Sequence, residues 1–512
     1  MTHTHRDERG SWRTARRARG RRLTAPIRRP GALTAFAAVL ALATTAQAQG
    51  YYSGTKSARA AGRAGAFTAK ADDLSAVEYN PAGLARLSGW TLQLGNRFSY
   101  NMVSFERAST EDWGNTSGGV PATATFPRVD NARPWQALDP LIGVATDFGL
   151  EDWGFALSAY SPPGTARLAF PAGGGQRYMM VERDARILVY AASAAWKWRD
   201  LFGVGASLQW VHVPHLEYSL VVDAVPFARQ ANPVSSTFDM LSTVRGSDPF
   251  TFNAILGAWL RPAPFLEVGL SGQVVPSRIR TRSTLDIRPV SLTEDVTLTR
   301  DGVPANDVTL TLPLPMTARA GVRYLHERDG RTAFDIELDV VYQTWSRVPD
   351  FRLESGDLSA SLSGQRVSIG DIVIDKQWRD TVAVLLGGDY EAIPDRLTLR
   401  AGVGYESAVA RPSHAHVDFA SGTHLTGAFG ASVLFGSFEF AMSYGYRHQL
   451  PVSVSEREGR VYQETPGSLC EAPYTDPNTC HSAYPGQPSP TVNAGHYVAF
   501  SHMAGLDLLH RF

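Results

Sequence analysis

The chain of 512 residues is 44% hydrophobic and carries 49 Lys+Arg against 49 Asp+Glu, a formal charge of zero. That length admits several soluble domains or one large barrel. Ten of the 49 basic residues are packed into Arg6–Arg29, inside a segment expected to be removed. The remaining chain is therefore acidic, which argues against nucleic acid as a partner.

Residues 1–48 read as an export signal. Arg6–Arg29 is a basic leading region, Ala32–Ala43 an apolar run, and Ala46-Gln47-Ala48 a small-x-small cleavage site. The run falls short of the roughly 20 apolar residues that a membrane-spanning helix needs. An organelle presequence is also Arg-rich, but the compact apolar run and the Ala-x-Ala site favour secretion. Gln49–Leu87 follows, rich in Gly and Ala and without alternation. Its apolar residues Phe67, Val77, Tyr79 and Leu84 suit a compact plug better than a loose tail, and Asn80-Pro81 marks a turn.

From Trp90 onward the chain alternates with period two. In Arg396–Glu406 one face is Leu397, Leu399, Ala401, Val403 and Tyr405, and the other carries Arg400, Gly402 and Gly404. In Phe438–Arg447 Phe438, Phe440, Met442, Tyr444 and Tyr446 share a face. The pattern predicts fourteen strands: Trp90–Met102, Leu141–Leu150, Trp153–Tyr160, Arg186–Trp198, Leu201–Val213, Phe250–Arg261, Phe265–Pro276, Leu314–Leu325, Thr332–Trp345, Gln377–Tyr390, Arg396–Glu406, Thr423–Phe435, Phe438–His448 and His496–Phe512. Segments of about ten residues, apolar on one face, are what a transmembrane barrel requires. Backbone polar groups in hydrocarbon must all be paired, so without a spanning helix a closed barrel is the remaining solution.

Short links (Glu151-Asp152, Arg199-Asp200, Pro262–Pro264, His326–Arg331, Glu391–Asp395, Gly436-Ser437) alternate with long ones (Val103–Pro140, Ser161–Ala185, Pro214–Pro249, Ser277–Pro313, Ser346–Lys376, Ser407–Gly422, Gln449–Gly495). Short periplasmic turns and long external loops give this rhythm in outer-membrane barrels, which places both termini in the periplasm. The expected fold is thus all-β: a 14-stranded antiparallel transmembrane barrel over residues 88–512, with residues 49–87 as a hatch inside it.

The stretch Ser57-Ala58-Arg59 to Gly65-Ala66-Phe67, with Asp72, Asp73 and Asn80-Pro81-Ala82-Gly83-Leu84, resembles the hatch of the long-chain fatty acid transport porins, the FadL/TodX family. Leu312-Pro313-Leu314-Pro315, Tyr342-Gln343-Thr344-Trp345-Ser346, Trp378-Arg379-Asp380 and the terminal Phe512 are similar to the family as well. The resemblance implies outer-membrane uptake of fatty acids or other hydrophobic compounds by passive diffusion, with lateral release through a kinked third strand. By position that kink falls at Ser161, Pro162, Pro163 and Gly164, where proline removes a ladder donor. The alternative is simply the start of an external loop.

Arg319 and Arg323 are expected to face the lumen, opposite Asp335, Glu337 and Asp339, with Arg400 nearby. A hairpin centred near Asp329 sets Arg323 against Asp335 and Arg319 against Asp339. The plain reading is wall bracing at about 0.2–1 kcal/mol per cross-strand pair. The sharper ones are a carboxylate-headgroup site or a contact for the hatch, whose Asp72 and Asp73 could anchor to these arginines. Cys470 and Cys480 suggest a disulfide closing a small loop, with His481 offering an incomplete zinc set as the alternative. His212, His215 and Glu217, like His414, His416 and Asp418, form no complete catalytic or metal set. No cofactor, no metal and no enzymatic activity are expected; the partners are a hydrophobic small molecule and outer-membrane lipid, and the chain acts as a monomer. The competing function is a general or gated diffusion porin for polar solutes.

Overall fold

In the computed structural model of the protein, the described residues are 56–117, 120–162, 167–223, 234, 239–291, 295–348, 350–362, 364–419, 421–462 and 491–512. The expected export signal, Pro163, Gly164 and the Cys470/Cys480 pair lie outside them.

Fourteen strands close on themselves: β1 (Trp90–Arg107), β2 (Pro140–Thr146), β3 (Trp153–Tyr160), β4 (Glu182–Trp198), β5 (Phe202–Asp223), β6 (Asp239–Ala263), β7 (Leu266–Gln273), β8 (Thr317–Arg328), β9 (Arg331–Gln343), β10 (Thr381–Ile393), β11 (Leu397–Glu406), β12 (His424–Phe435), β13 (Phe438–Gln449) and β14 (Gly495–Arg511). Each pairs antiparallel with its sequence neighbour. The seam is β1 on β14, in unbroken register from Thr91↔Arg511 to Arg107↔Gly495. Closure leaves no edge, the condition for a sheet in lipid.

The outward face is apolar and exposed, as with Val322, Leu338, Val384 and Val403. Aromatic residues gather at both rims. Trp90, Phe148, Trp153, Trp198, Phe265, Phe435 and Phe512 ring the short-turn end, with Trp90 stacked on Phe512. Trp210, Phe250, Tyr342, Tyr405 and Tyr446 ring the other. Such girdles sit at the two membrane interfaces.

The hatch lies inside. Helix α1 (Ala58–Ala61) is capped by the Ser57 hydroxyl, and α2 (Ala76–Tyr79) runs into a 3-10 turn, Pro81–Arg86. Phe67, Leu74, Val77, Tyr79 and Leu84 pack with the wall residues Leu141, Ala145, Tyr160, Val189 and Val211.

Boundaries differ where local geometry overrides pattern. The β2 strand stops at Thr146, not Leu150, because Phe148 and Gly149 take left-handed φ of 51° and 78°. At the long-loop end β5 and β6 run on to Asp223 and back from Asp239, past a register shift around His212–His215 that interrupts the alternation. The long link after β7 is itself sheet. Arg278–Pro289 pairs with the upper part of β6 and with Asp307–Pro313, and the sheet continues through Asp350–Glu354 and Ile372–Asp375. The β8–β9 register is also shifted. A tight Asp329-Gly330 turn, both residues at positive φ, is followed by a bulge at Ala333, so Arg323 sits opposite Glu337 and Arg319 opposite Val341. The expected Arg319–Asp339 pairing is therefore absent.

Candidate functional site

The lumen has two parts, a seat that holds the hatch and a cavity above it. The seat is charged. Arg63, fully buried, meets Asp335 at 2.5 Å, Asp389 at 2.7 Å and Glu337 at 2.9 Å. Asp339 accepts the backbone N–H groups of Phe67 and Thr68, both at 2.9 Å. Glu337 accepts that of Ala69 at 2.6 Å, and Lys70 reaches Asp335 at 3.2 Å. Further round, Asp507 accepts the Ala58 N–H at 2.8 Å and the Gln93 side chain at 3.0 Å. Arg59 lies 3.3 Å from Glu439. The lumenal carboxylates thus serve as acceptors for hatch donors.

Arg323 braces the wall between Asp335 at 2.7 Å and Glu267 at 2.8 Å, reaching Asp335 diagonally despite the register. Arg400 does the same with Asp389 at 3.2 Å. Arg319 points up the lumen and contacts Glu78 of the hatch at 3.7 Å. Asp72 and Asp73 depart from expectation. Asp72 pairs inside the hatch with Arg59 at 3.0 Å, and Asp73 accepts from Ser75 and lies 3.7 Å from Arg59. The chain doubles back between α1 and α2, so the hatch neutralises these carboxylates itself.

The Asn80-Pro81-Ala82-Gly83 motif is a joint. The Asn80 side chain donates to the Thr68 carbonyl at 3.0 Å within the hatch and to the Ala258 carbonyl of β6 at 2.9 Å, and accepts the Ala82 N–H at 3.2 Å. Pro81 opens the 3-10 turn, where its missing N–H costs nothing. The Ala82 carbonyl accepts from the Trp259 indole at 3.0 Å. Wall glycines make room: a methyl group on Gly257 would overlap Asn80 and Pro81, and one on Gly402 would overlap the Arg63 backbone.

Above the hatch lies a cavity of about 240 Å³. Its walls are Ala185, Ile187 and Val189 of β4, Val211 and Leu216 of β5, Ile255 of β6, and Ile279, Leu310 and Leu312 of the external sheet. Glu78, Tyr160 and Pro162 border it below, and Trp345, Phe351, Ile374 and Phe419 roof it. Its polar residues largely satisfy one another. Gln209 donates to the Tyr160 hydroxyl at 2.9 Å and accepts from Asn253 at 2.6 Å, and Gln343 donates to Thr317 at 3.1 Å. A cavity with apolar walls and internally bonded polar groups favours an apolar guest, since few donors are left unmet.

The roof rests on a buried ionic cluster. Asp418 lies 2.6 Å from both Lys376 and His416 and accepts the Tyr218 hydroxyl at 3.2 Å, while Arg183 donates to its carbonyl at 2.6 Å and stacks on Phe419. Burial pushes Asp418 up, but His416 and Lys376 outweigh it and hold the carboxyl well below its usual range. His212 and His215 sit at the β5 register shift, with His215 3.9 Å from Glu217. Among the described residues no cluster of three or more His, Cys, Asp or Glu is placed to hold a metal.

Sequence reading missed Arg63, Lys70, Asp389, Asp507 and the apolar cavity walls of β4, β5 and β6, although Pro162 and Arg319, singled out for other reasons, also line the cavity. The signal for the first was an arginine inside a run of small residues; inward-facing glycines on strand after strand marked the hatch's path.

The fold and the seat define a plugged β-barrel of the bacterial outer membrane. Residues 39–418 match the family of outer membrane protein transport proteins (OMPP1/FadL/TodX), and the chain belongs to that family. A protein of Neisseria meningitidis serogroup B described as an outer membrane protein, NMB0088, is 32% identical over 125 residues. That match covers 23% of this chain and a quarter, 25%, of the relative. A Pseudomonas aeruginosa FadL homologue superposes with a TM-score of 0.69 at 16% identity, covering 90% of this chain and 100% of that one. The P. putida toluene transporter TodX superposes at 0.56 with 13% identity, covering 91% and 99%. At such identities these two likenesses show the fold.

Proposed function

We propose that the protein passes hydrophobic compounds across the outer membrane by passive diffusion, taking them from outside into the cavity above the hatch. The observation that carries this reading is the apolar, roofed cavity of about 240 Å³. A cavity of about 150 Å³ lined by Leu, Ile and Phe binds benzene, so this one has room for a substituted ring or for part of an acyl chain. Monoaromatic compounds and fatty acids are the substrate classes, in keeping with the toluene transporter of like fold. The long loops face outward, the short turns and the hatch face the periplasm, and residues 1–48 direct export. The barrel works as a monomer.

Lateral release near Ser161–Gly164 is the proposed exit. The β3 ladder runs only to Tyr160, the Ser161 N–H reaches the Pro140 carbonyl at 3.3 Å, and Pro162 borders the cavity. The test is uptake of radiolabelled toluene and of a labelled long-chain fatty acid by cells whose only such channel is this protein. Uptake above that of channel-free cells, lost on replacing Ile255 by Trp to fill the cavity, is the expected result. Steady ion conductance in planar bilayers without uptake of either compound would make the protein a polar-solute porin instead.

A further inference from the structure

The strand Arg278–Pro289 alternates strictly. Ile279, Leu285 and Ile287 turn into an apolar core, while Arg278, Arg280 and Arg282 stand exposed on the other face. Because the strand extends the wall above β6, that face continues the lipid-facing surface of the barrel. Its level is fixed by three hydrogen bonds. Ser277 donates its hydroxyl to the Phe252 carbonyl at 2.9 Å, Thr251 donates to the Arg278 carbonyl at 3.1 Å, and the Arg280 N–H donates to Asp248 at 3.0 Å. Arg278 therefore begins at the aromatic girdle, beside the exposed Phe250 and Phe252, and the row climbs away from the hydrocarbon.

Alternate positions on a strand are about 6.6–6.8 Å apart, so three guanidinium groups are presented in line on a rigid, hydrogen-bonded backbone. Arg280 pairs with Glu354 at 3.2 Å. Among the described residues Arg278 and Arg282 make no ion pair. Exposed arginines carried on a strand just beyond a girdle meet the headgroup layer before bulk water. Guanidinium matches phosphate with paired N–H donors. On the orientation proposed above, the facing leaflet is the outer one.

We propose that Arg278, Arg280 and Arg282 form a binding row for the headgroup phosphates of an outer-leaflet lipid, on the back of the cavity wall that Ile279 lines from inside. The row would hold one lipid against the strand and fix the height of the external sheet in the membrane.

The test uses the full-length protein in detergent, titrated with lipid A carrying two phosphates and read by native mass spectrometry. Each of Arg278→Gln and Arg282→Gln should weaken binding about fivefold, and the double variant about thirtyfold, at roughly 1 kcal/mol per arginine and 1.4 kcal/mol per tenfold. Arg328→Gln, in a short turn at the opposite end, should bind as the wild type, and dephosphorylated lipid A should bind no better than the double variant. Heat-modifiable gel mobility checks that every variant is folded. Equal binding by the double variant and the wild type would overturn the proposal, as would equal binding of the two lipids. Displacement of the lipid by millimolar inorganic phosphate alone would make this a free-anion site and overturn it too. These readouts do not involve transport, so they can fail while uptake stands, or the reverse.

Discussion

Around the hatch, one arginine meets three carboxylates and five backbone N–H groups point at acidic side chains of the wall. Above it, on other strands of the same wall, β4, β5 and β6 turn Val189, Val211 and Ile255 inward and the polar groups bond to one another. The two halves of one lumen thus do opposite things with the same alternation. The lower half presents acceptors that only the hatch can satisfy, which specifies one plug in one position. The upper half presents little that a polar solute could use. A barrier to water and ions below an apolar chamber is the arrangement a hydrophobic-solute channel needs.

The comparison breaks most easily at its charged end. Arg63→Met leaves Glu337 without its cation and takes one from Asp335 and Asp389, at a cost of about 3–5 kcal/mol for a broken buried pair. The hatch should become protease-sensitive and ion conductance should rise in planar bilayers. Gly402→Val forces a side chain into the Arg63 backbone, costing about 1–3 kcal/mol by overpacking, with the same readouts moved less. Asn80→Ala removes both bonds donated by the Asn80 side chain, to the Thr68 and Ala258 carbonyls, at about 1–3 kcal/mol. Uptake should fall while the barrel keeps its heat-modifiable mobility.

The roof offers a pH test. Asp418 is held below its ordinary value, so its contribution is present above a carboxylate's usual pKa near 4 and is lost only as pH falls through the lower folded value. The wild-type external cap should resist proteolysis at pH 5 and at pH 4, and Asp418→Asn should be cleaved at both. The smallest effect belongs to the exposed Arg331–Asp395 pair at the short turns. Arg331→Gln should change stability by less than about 1 kcal/mol; a loss as large as that of Arg63→Met would remove the contrast between buried seat and exposed rim.

The barrel was legible in the sequence because lipid on one side and a polar lumen on the other impose period two on every strand. Fourteen strands can be counted from that pattern, and the alternation of short and long links agrees with it independently. Register was not legible, since the two-residue Asp329-Gly330 turn and the bulged Ala333 each shift the pairing by one position and together move Arg323 from Asp335 to Glu337 without altering the pattern. The external sheet was hidden because Arg278–Pro289 buries its apolar face against the upper ends of β5 and β6 together with other loop strands, and its alternation carries no sign of where it docks. In the hatch, the Asn80 motif was readable as a turn. Its partners, Ala258 and Trp259, are set by three-dimensional closure and leave no local trace.

The central claim is that the chamber between hatch and roof receives the apolar solute. Crystals of the full protein soaked with bromobenzene test it directly by anomalous diffraction. A bromine peak between Ile255, Leu312 and Phe351 is the predicted result, absent in Ile255→Trp. Bromine only in the lipid-facing girdles, with the chamber filled by ordered water, would contradict it.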